Sequence, residues 1–201
     1  KEILSIRDII IEAKEDNRFG FEEPYSDLAK ALSRTQKGKN FDSFVQARDI
    51  VSSMVGGRLE YNEDKKEWQF QDNDRRIYEI STTSEGVKKL SILDLLLGNR
   101  YLDNHSIIII DEIEANLHPS MIAQFLDAIF KLAESGVQFF ISSHSYFVIK
   151  RLYILAHRNA LSIPVLSFDK GQCTVSDLKV EMPQNPIIDE SIALYKDEIS
   201  L

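Results

Sequence analysis

Between residues 106 and 142 the chain spells out a strand, a helix and a second strand in close succession. Ile107-Ile108-Ile109-Ile110 is an unbroken β-branched run. Strands buried on both faces of a parallel sheet carry runs of this kind, so a central position is expected for it. A helix is predicted over 119–135, where Ile122, Phe125, Leu126, Ile129, Leu132 and Ala133 share one face and Gly136 marks the end. Val137–Ser142 reads as the next strand. A crossover helix between two strands of one sheet makes them parallel, and their carboxyl ends then share one edge.

That edge collects the chemistry. Asp111 and Glu112 leave the first strand there, and Ser142, Ser143 and His144 leave the second. Ligands of open α/β sheets bind at this edge. A carboxylate at a strand end can hold Mg²⁺ directly or through water. A second carboxylate can polarise an attacking water, and a nearby histidine can hold or sense a phosphate. Mg²⁺-assisted nucleoside triphosphate hydrolysis uses such parts. Strands ending in two acids, and Ser-Ser-His turns, also occur with no chemistry attached, so spacing alone leaves both readings open.

The remaining segments read as follows. An amphipathic helix is expected over 2–15, with Ile3, Ile6, Ile10 and Ala13 on one stripe, and a short helix over 25–34. Residues 34–40, Arg-Thr-Gln-Lys-Gly-Lys-Asn, form a basic loop, and a helix over 41–55 stops at Gly56-Gly57. Residues 58–80 alternate short apolar runs with polar turns and predict a three-stranded antiparallel meander. A helix over 85–98, apolar on most sides, should be buried. After the second strand come a helix over 145–157, strands near 163–168 and 172–180 around Asp169-Lys170-Gly171, and a last helix near 188–199.

Composition trims the function classes. With 24 basic and 32 acidic residues the net charge is −8, which excludes a globally basic nucleic-acid coat but not a local basic patch. No apolar run approaches the roughly 18 residues of a membrane helix, so no membrane partner is expected. The single cysteine, Cys173, can form no internal disulfide, which fits a reducing compartment and a cytoplasmic location. The lysines at 37, 39, 65 and 66 read as solvated surface. Lys88 and Lys89, beside Gly86, are the two given a functional reading.

Taken in order, the motifs resemble those of ATP-binding-cassette (ABC) type ATPases. Thr83-Ser84-Glu85-Gly86-Val87-Lys88-Lys89-Leu90 is similar to the signature motif in a Ser-Glu-Gly variant. Ser106–Glu112 resembles the Walker B strand with its acidic pair. Glu114-Ala115-Asn116-Leu117-His118-Pro119 resembles the D-loop, and Ser142-Ser143-His144-Ser145 the switch-histidine loop. The resemblance spans roughly residues 41–170. The variant forms are similar to the RecF, SMC and OLD-nuclease branch of repair and phage-defence ATPases, not to transporters, which usually carry Leu-Ser-Gly-Gly-Gln and Asp-Glu-Pro-Thr.

The resemblance implies an α/β fold, the C-terminal part of an ABC-type ATPase head: a parallel-sheet core, a helical subdomain or insertion (1–55), a small antiparallel meander (56–82) and an α/β lobe (83–201). It implies ATP and Mg²⁺ as cofactors. Asp111 would position the metal, Glu112 would orient and deprotonate water, and His144 would contact the γ-phosphate. Ser84, Gly86 and Lys88 would meet nucleotide held by a second protomer, with Asn116 near the partner's site. A helix N-terminus capped by Ser84 agrees with that role on physical grounds.

One departure is large. No G-x-x-x-x-G-K-[ST] stretch occurs, and that loop supplies most of a phosphate cradle. Together with an opening Lys1 in place of Met, this sets the expectation of a C-terminal lobe whose P-loop half lies N-terminal to it. A non-hydrolysing relative is the second account. Implied partners are a second ATPase protomer, the P-loop half, a nuclease or toxin effector, and DNA. The competing readings are an interaction and dimerisation module of the same fold, a transporter ATPase subunit, and an unrelated α/β domain.

Overall fold

The computed structural model describes residues 4, 10–13, 15, 16, 23–33 and 42–201. The basic loop at 34–40, and Ile3 and Ile6 of the first stripe, lie outside the described residues. Within that stripe Ile10 is buried and Ala13 half-buried. Two compact units emerge, Lys1–Ile108 with Asp127–Phe139, and Ile109–Leu126 with Phe140–Leu201.

In the first unit, α1 (Glu23–Ser33) and α2 (Asp42–Val55) pack with α3 (Glu85–Gly98). Phe44, Ala47, Val51 and Val55 form the buried stripe of α2 at helical spacing. Gly56 then takes a left-handed φ of 66°, which ends the helix as only glycine does without strain. Strands β1 (Gly57–Asn62), β2 (Glu67–Asp72) and β3 (Ile77–Glu79) make the expected antiparallel meander. Leu59 faces Phe70 and Tyr61 faces Trp68, the latter rings meeting edge to face at 5.4 Å. β3 is a short edge strand with Ile77 and Tyr78 exposed. It stops at Glu79 because Ile80–Thr82 winds into a 3₁₀ turn, with Thr82 Oγ1 donating to the Glu79 carbonyl. That turn delivers Ser84 to the start of α3.

No residue of α3 is exposed, as its nearly all-round apolar sequence predicts. Two buried polar groups tie it in place. The Arg48 guanidinium donates to Asp94 at 3.3 Å, and Asn99 Nδ2, just past the helix end, donates to the Ala31 carbonyl at 2.7 Å. Burial pushes the Asp94 carboxyl above its ordinary value, with the Arg48 charge opposing.

The strand–helix–strand run is present as β4 (Ile107–Ile110), α4 (Pro119–Glu134) and β5 (Gln138–Ile141). The strands are parallel: Gln138 N–H donates to the Ser106 carbonyl and Ser142 N–H to that of Ile110, the same four-residue step on both. Pro119 takes the first helical position. Gly136 closes α4 at a φ of 106°, where a Cβ would stand 2.7 Å from the Asn104 carbonyl oxygen.

One expectation is corrected here. Among the described residues β4 is an edge strand: it pairs with β5 alone, and its side chains alternate between half-buried and exposed, with Ile109 78% exposed. A single covered face turns an all-apolar run into a half-open one.

The second unit continues with α5 (Tyr146–Arg158), the hairpin β6 (Pro164–Asp169) and β7 (Gln172–Asp177), and α6 (Pro186–Ile199). Ile149, Ala156, Leu178 and Ile188 form its core. The hairpin turns through Lys170 and Gly171, both at positive φ, as a two-residue turn requires, and the expected turn residue Asp169 belongs to β6. β7 ends at Asp177, short of the expected 180. The Asp177 carboxylate accepts from Ile163 N–H, Lys179 N–H and the Ser162 hydroxyl, which bends the chain out of the strand. These bonds, the Ser162 hydroxyl foremost, hold its pKa below the usual carboxylate range. Asn185 caps α6 by accepting from Ile188 N–H.

Candidate functional site

The first residues past the two parallel strands are Asp111 and Ser142, so the pairing itself brings them side by side. Ser142 knits the two strand ends together. Its N–H donates to the Ile110 carbonyl at 3.0 Å, and its carbonyl accepts from Ile113 N–H at 3.3 Å. Its hydroxyl donates to the Asp111 carboxylate and accepts from Glu112 N–H at 2.8 Å.

Glu112 is held in an uncommon conformation, with φ of 45°. The left-handed region is disfavoured for a residue with a Cβ, and such outliers gather at functional sites. Asn116 shares it at φ 61°, where asparagine is better tolerated. Between them Ile113 is fully buried and pins the loop, while Asp111, Glu112 and Asn116 are exposed. Ala115 N–H to the Glu112 carbonyl and Leu117 N–H to that of Glu114 complete two successive turns. His118 then caps α4, with Nδ1 accepting from Ser120 N–H at 3.3 Å.

Past β5 the chain turns through Ser143, whose hydroxyl accepts from Ser145 N–H at 3.1 Å. His144 N–H donates to Glu114 Oε1 at 2.7 Å, and its imidazole is exposed. The second unit thus gathers Asp111, Glu112, Asn116 and His144 on two cross-tied loops.

Ser84, Gly86 and Lys88 belong to the first unit, in the first turn of α3. Ser84 is exposed and caps the helix, accepting from Val87 N–H at 3.3 Å. Gly86 is buried. Lys88 pairs with Glu85 at 3.0 Å and its side chain is only 12% exposed, so its ammonium is engaged within its own helix.

Sequence reasoning passed over the parts played by Ser142, Glu114 and His118. Ser142 had a usable signal, since parallel pairing sets the first residue past one strand beside the first past the other. Glu114 had none beyond its place in a polar loop.

The donor set suits magnesium only in company. Among the described residues no three His, Cys, Asp or Glu side chains are grouped to hold a metal. One carboxylate beside a hydroxyl is a hard-oxygen set of the kind that holds Mg²⁺ jointly with waters and a nucleotide's phosphates. The N-terminus of α3, capped by Ser84, would by itself supply no more than part of a phosphate cradle.

Residues 5–150, well over half of the chain, match the family described as "AAA domain, putative AbiEii toxin, Type IV TA system", and the chain belongs to that family. Its fold is that of a nucleotide-binding ATPase module of the ABC/AAA superfamily. No curated protein is significantly similar in sequence. Among solved structures, one from "Structural biochemistry of ATP-driven dimerization and DNA stimulated activation of SMC ATPases" is 17% identical, covering 80% of this chain and 97% of that one at a TM-score of 0.46. The Smc head bound to the C-winged helix domain of ScpA is 20% identical, with 87% and 49% covered and a TM-score of 0.47. The SMC head domain from Thermotoga maritima is 18% identical, with 75% and 51% covered and a TM-score of 0.42. The chain spans about half the length of those last two. At such identities the likeness is one of fold.

Proposed function

We propose that this chain is the lobe of an ATP-hydrolysing ABC-type ATPase that carries the water-activating and switch residues. The observation behind this reading is the hydroxyl of Ser142. It locks the metal-side carboxylate of Asp111 and the strained backbone of Glu112 into one arrangement at the ends of two parallel strands. Preorganised groups of this kind favour a charged transition state over the ground state.

In this reading Asp111 presents a carboxylate oxygen to Mg²⁺, and Ser142 fixes its orientation. Glu112 takes a proton from water as a general base. His144 offers an imidazole N–H to a phosphate oxygen. Bound Mg²⁺ would neutralise charge on the triphosphate. Ser84 and Gly86 serve nucleotide held by a second protomer in a head-to-tail pair, with Asn116 near the same junction. Lys88 would join them only by exchanging Glu85 for a phosphate. The phosphate-cradling P-loop is supplied by residues outside these 201. The half-open face of β4 supports this, since it leaves apolar side chains for further structure to cover.

The same reading takes the protein to be cytoplasmic, as the exposed free thiol of Cys173 suits a reducing compartment. Among the described residues no helix is long and apolar enough to cross a membrane. We assign hydrolysis the task of driving a repair or defence effector, with DNA as a further partner.

Glu112→Gln in the full-length protein tests the core of this. It should slow ATP hydrolysis by about 10²–10⁴-fold, the range for losing a general base, with nucleotide binding retained. Sedimentation of that variant should show mass doubling with Mg-ATP, and Ser84→Arg should abolish the doubling while sparing nucleotide binding. A less than threefold loss of rate would remove Glu112 from the role. No doubling, with ATP bound, would count against the composite site and favour a constitutive interaction module.

A further inference from the structure

The D-loop carries a third carboxylate that the proposed chemistry does not use. Glu114 follows fully buried Ile113, and the two turns around Glu112 and Asn116 aim it back at the second strand's loop. One oxygen, Oε1, accepts the backbone N–H of His144 at 2.7 Å, at the short end for N–H···O and typical of a charge-assisted bond. The other, Oε2, is shut away from water with no hydrogen-bond partner among the described residues. A carboxylate oxygen in that state is destabilising. Placement that works against folding and spans two loops points to a role in aligning them.

The bond is to the backbone of His144, not to its ring. It therefore fixes where the loop leaves β5 and leaves the imidazole free to meet a ligand. Ser142 ties the same loop to Asp111 and Glu112 one turn earlier, so Glu114 is the second point of a two-point attachment. One point would let the loop pivot. Two set the distance between the base and the histidine.

We propose that Glu114 is a positioning residue that holds His144 in register with Glu112. The inference rests on the hydrolytic reading above, and deepens it. Misplacing a catalytic group by about 1 Å can lower turnover by about 100-fold. Glu114→Ala in the full-length protein should therefore lower kcat by about 10- to 100-fold with KM for ATP within twofold. Glu114→Gln, which keeps a carbonyl acceptor at the place of Oε1, should restore most of kcat. In a His144→Ala background, Glu114→Ala should add little further loss.

Three results would overturn the proposal. These are kcat in Glu114→Ala within twofold of wild type, multiplicative losses in the double variant, or Glu114→Gln as slow as alanine while melting like wild type. Amide hydrogen exchange separates this from failure of the parent reading. The His144 N–H should be protected in wild type and lose protection in Glu114→Ala, whether or not ATP is turned over. A wild type without hydrolysis but with that protection sinks the reading of the site and with it the catalytic purpose of the tie. Unprotected His144 N–H in a hydrolysing wild type sinks the tie alone.

Discussion

Helix α3, in the first unit, and the two strand-end loops, in the second, each present candidate functional residues, and they are held by different forces. α3 has no exposed residue, and Leu90 and Leu97 are fully buried. Packing fixes it, and exposed Ser84 caps its N-terminal end. The loops at 111–118 and 142–145 have half of their residues exposed, with Ile113 their single fully buried residue. Hydrogen bonds from backbone N–H groups to Ser142 and Glu114 fix them, along with two residues at positive φ. Packing is non-directional and forgiving of small shifts. Hydrogen bonds set angles, which is what a water-activating carboxylate needs.

The sharpest way to break this contrast is Leu97→Ala. Emptying a fully buried leucine site costs about 2–5 kcal/mol, to be read from urea unfolding. A loss under about 1 kcal/mol would mean that α3 is not held by packing. Next in size is Glu112→Gly. Relief of left-handed strain is worth about 1–2 kcal/mol, offset by about 0.5–1 kcal/mol of glycine chain entropy. Stability should rise by up to about 1.5 kcal/mol while hydrolysis is lost. A destabilised variant would show that the conformation carries no strain.

The smallest effect sharpens the contrast through pH. Asp94 and Asp177, one in each unit, are shifted in opposite directions. Asp177 is held low, so its contribution is present above its unfolded value, about 4, and is lost as pH falls through its folded value. Asp94 is held high by burial, so the native state binds its proton first and its charge penalty is relieved on acidification. Asp177→Asn should flatten the acid side of the stability profile, and Asp94→Asn should steepen it. Parallel profiles for wild type and both variants would contradict the assignment of either shift.

Much of the architecture was legible because it rests on period and punctuation. Gly56 and Gly136 marked helix ends, and the meander showed in its alternation. Helix α3 was read to the residue, since its apolar content leaves it no solvent face. The strand-end placement of Asp111, Glu112 and His144 followed from the crossover rule alone. What stayed hidden was directional. The backbone twist at Glu112, the reach of Glu114 to His144 and the early stop of β7 at Asp177 go with side chain–backbone bonds between residues 14 to 30 apart in sequence. Periodicity carries no record of these. The central position expected for β4 is not seen among the described residues, for a related reason. An all-isoleucine run satisfies a strand with one face covered as readily as one with two, and only neighbours decide which.

That run has a bearing on how the protein is made. Four isoleucines in succession, with Ile107 and Ile109 standing in water and an unpaired strand edge among the described residues, match the profile of a segment that seeds aggregation. Left open in this way, β4 is a place for stray strands to join. Yield and solubility will therefore depend on keeping that edge from other chains.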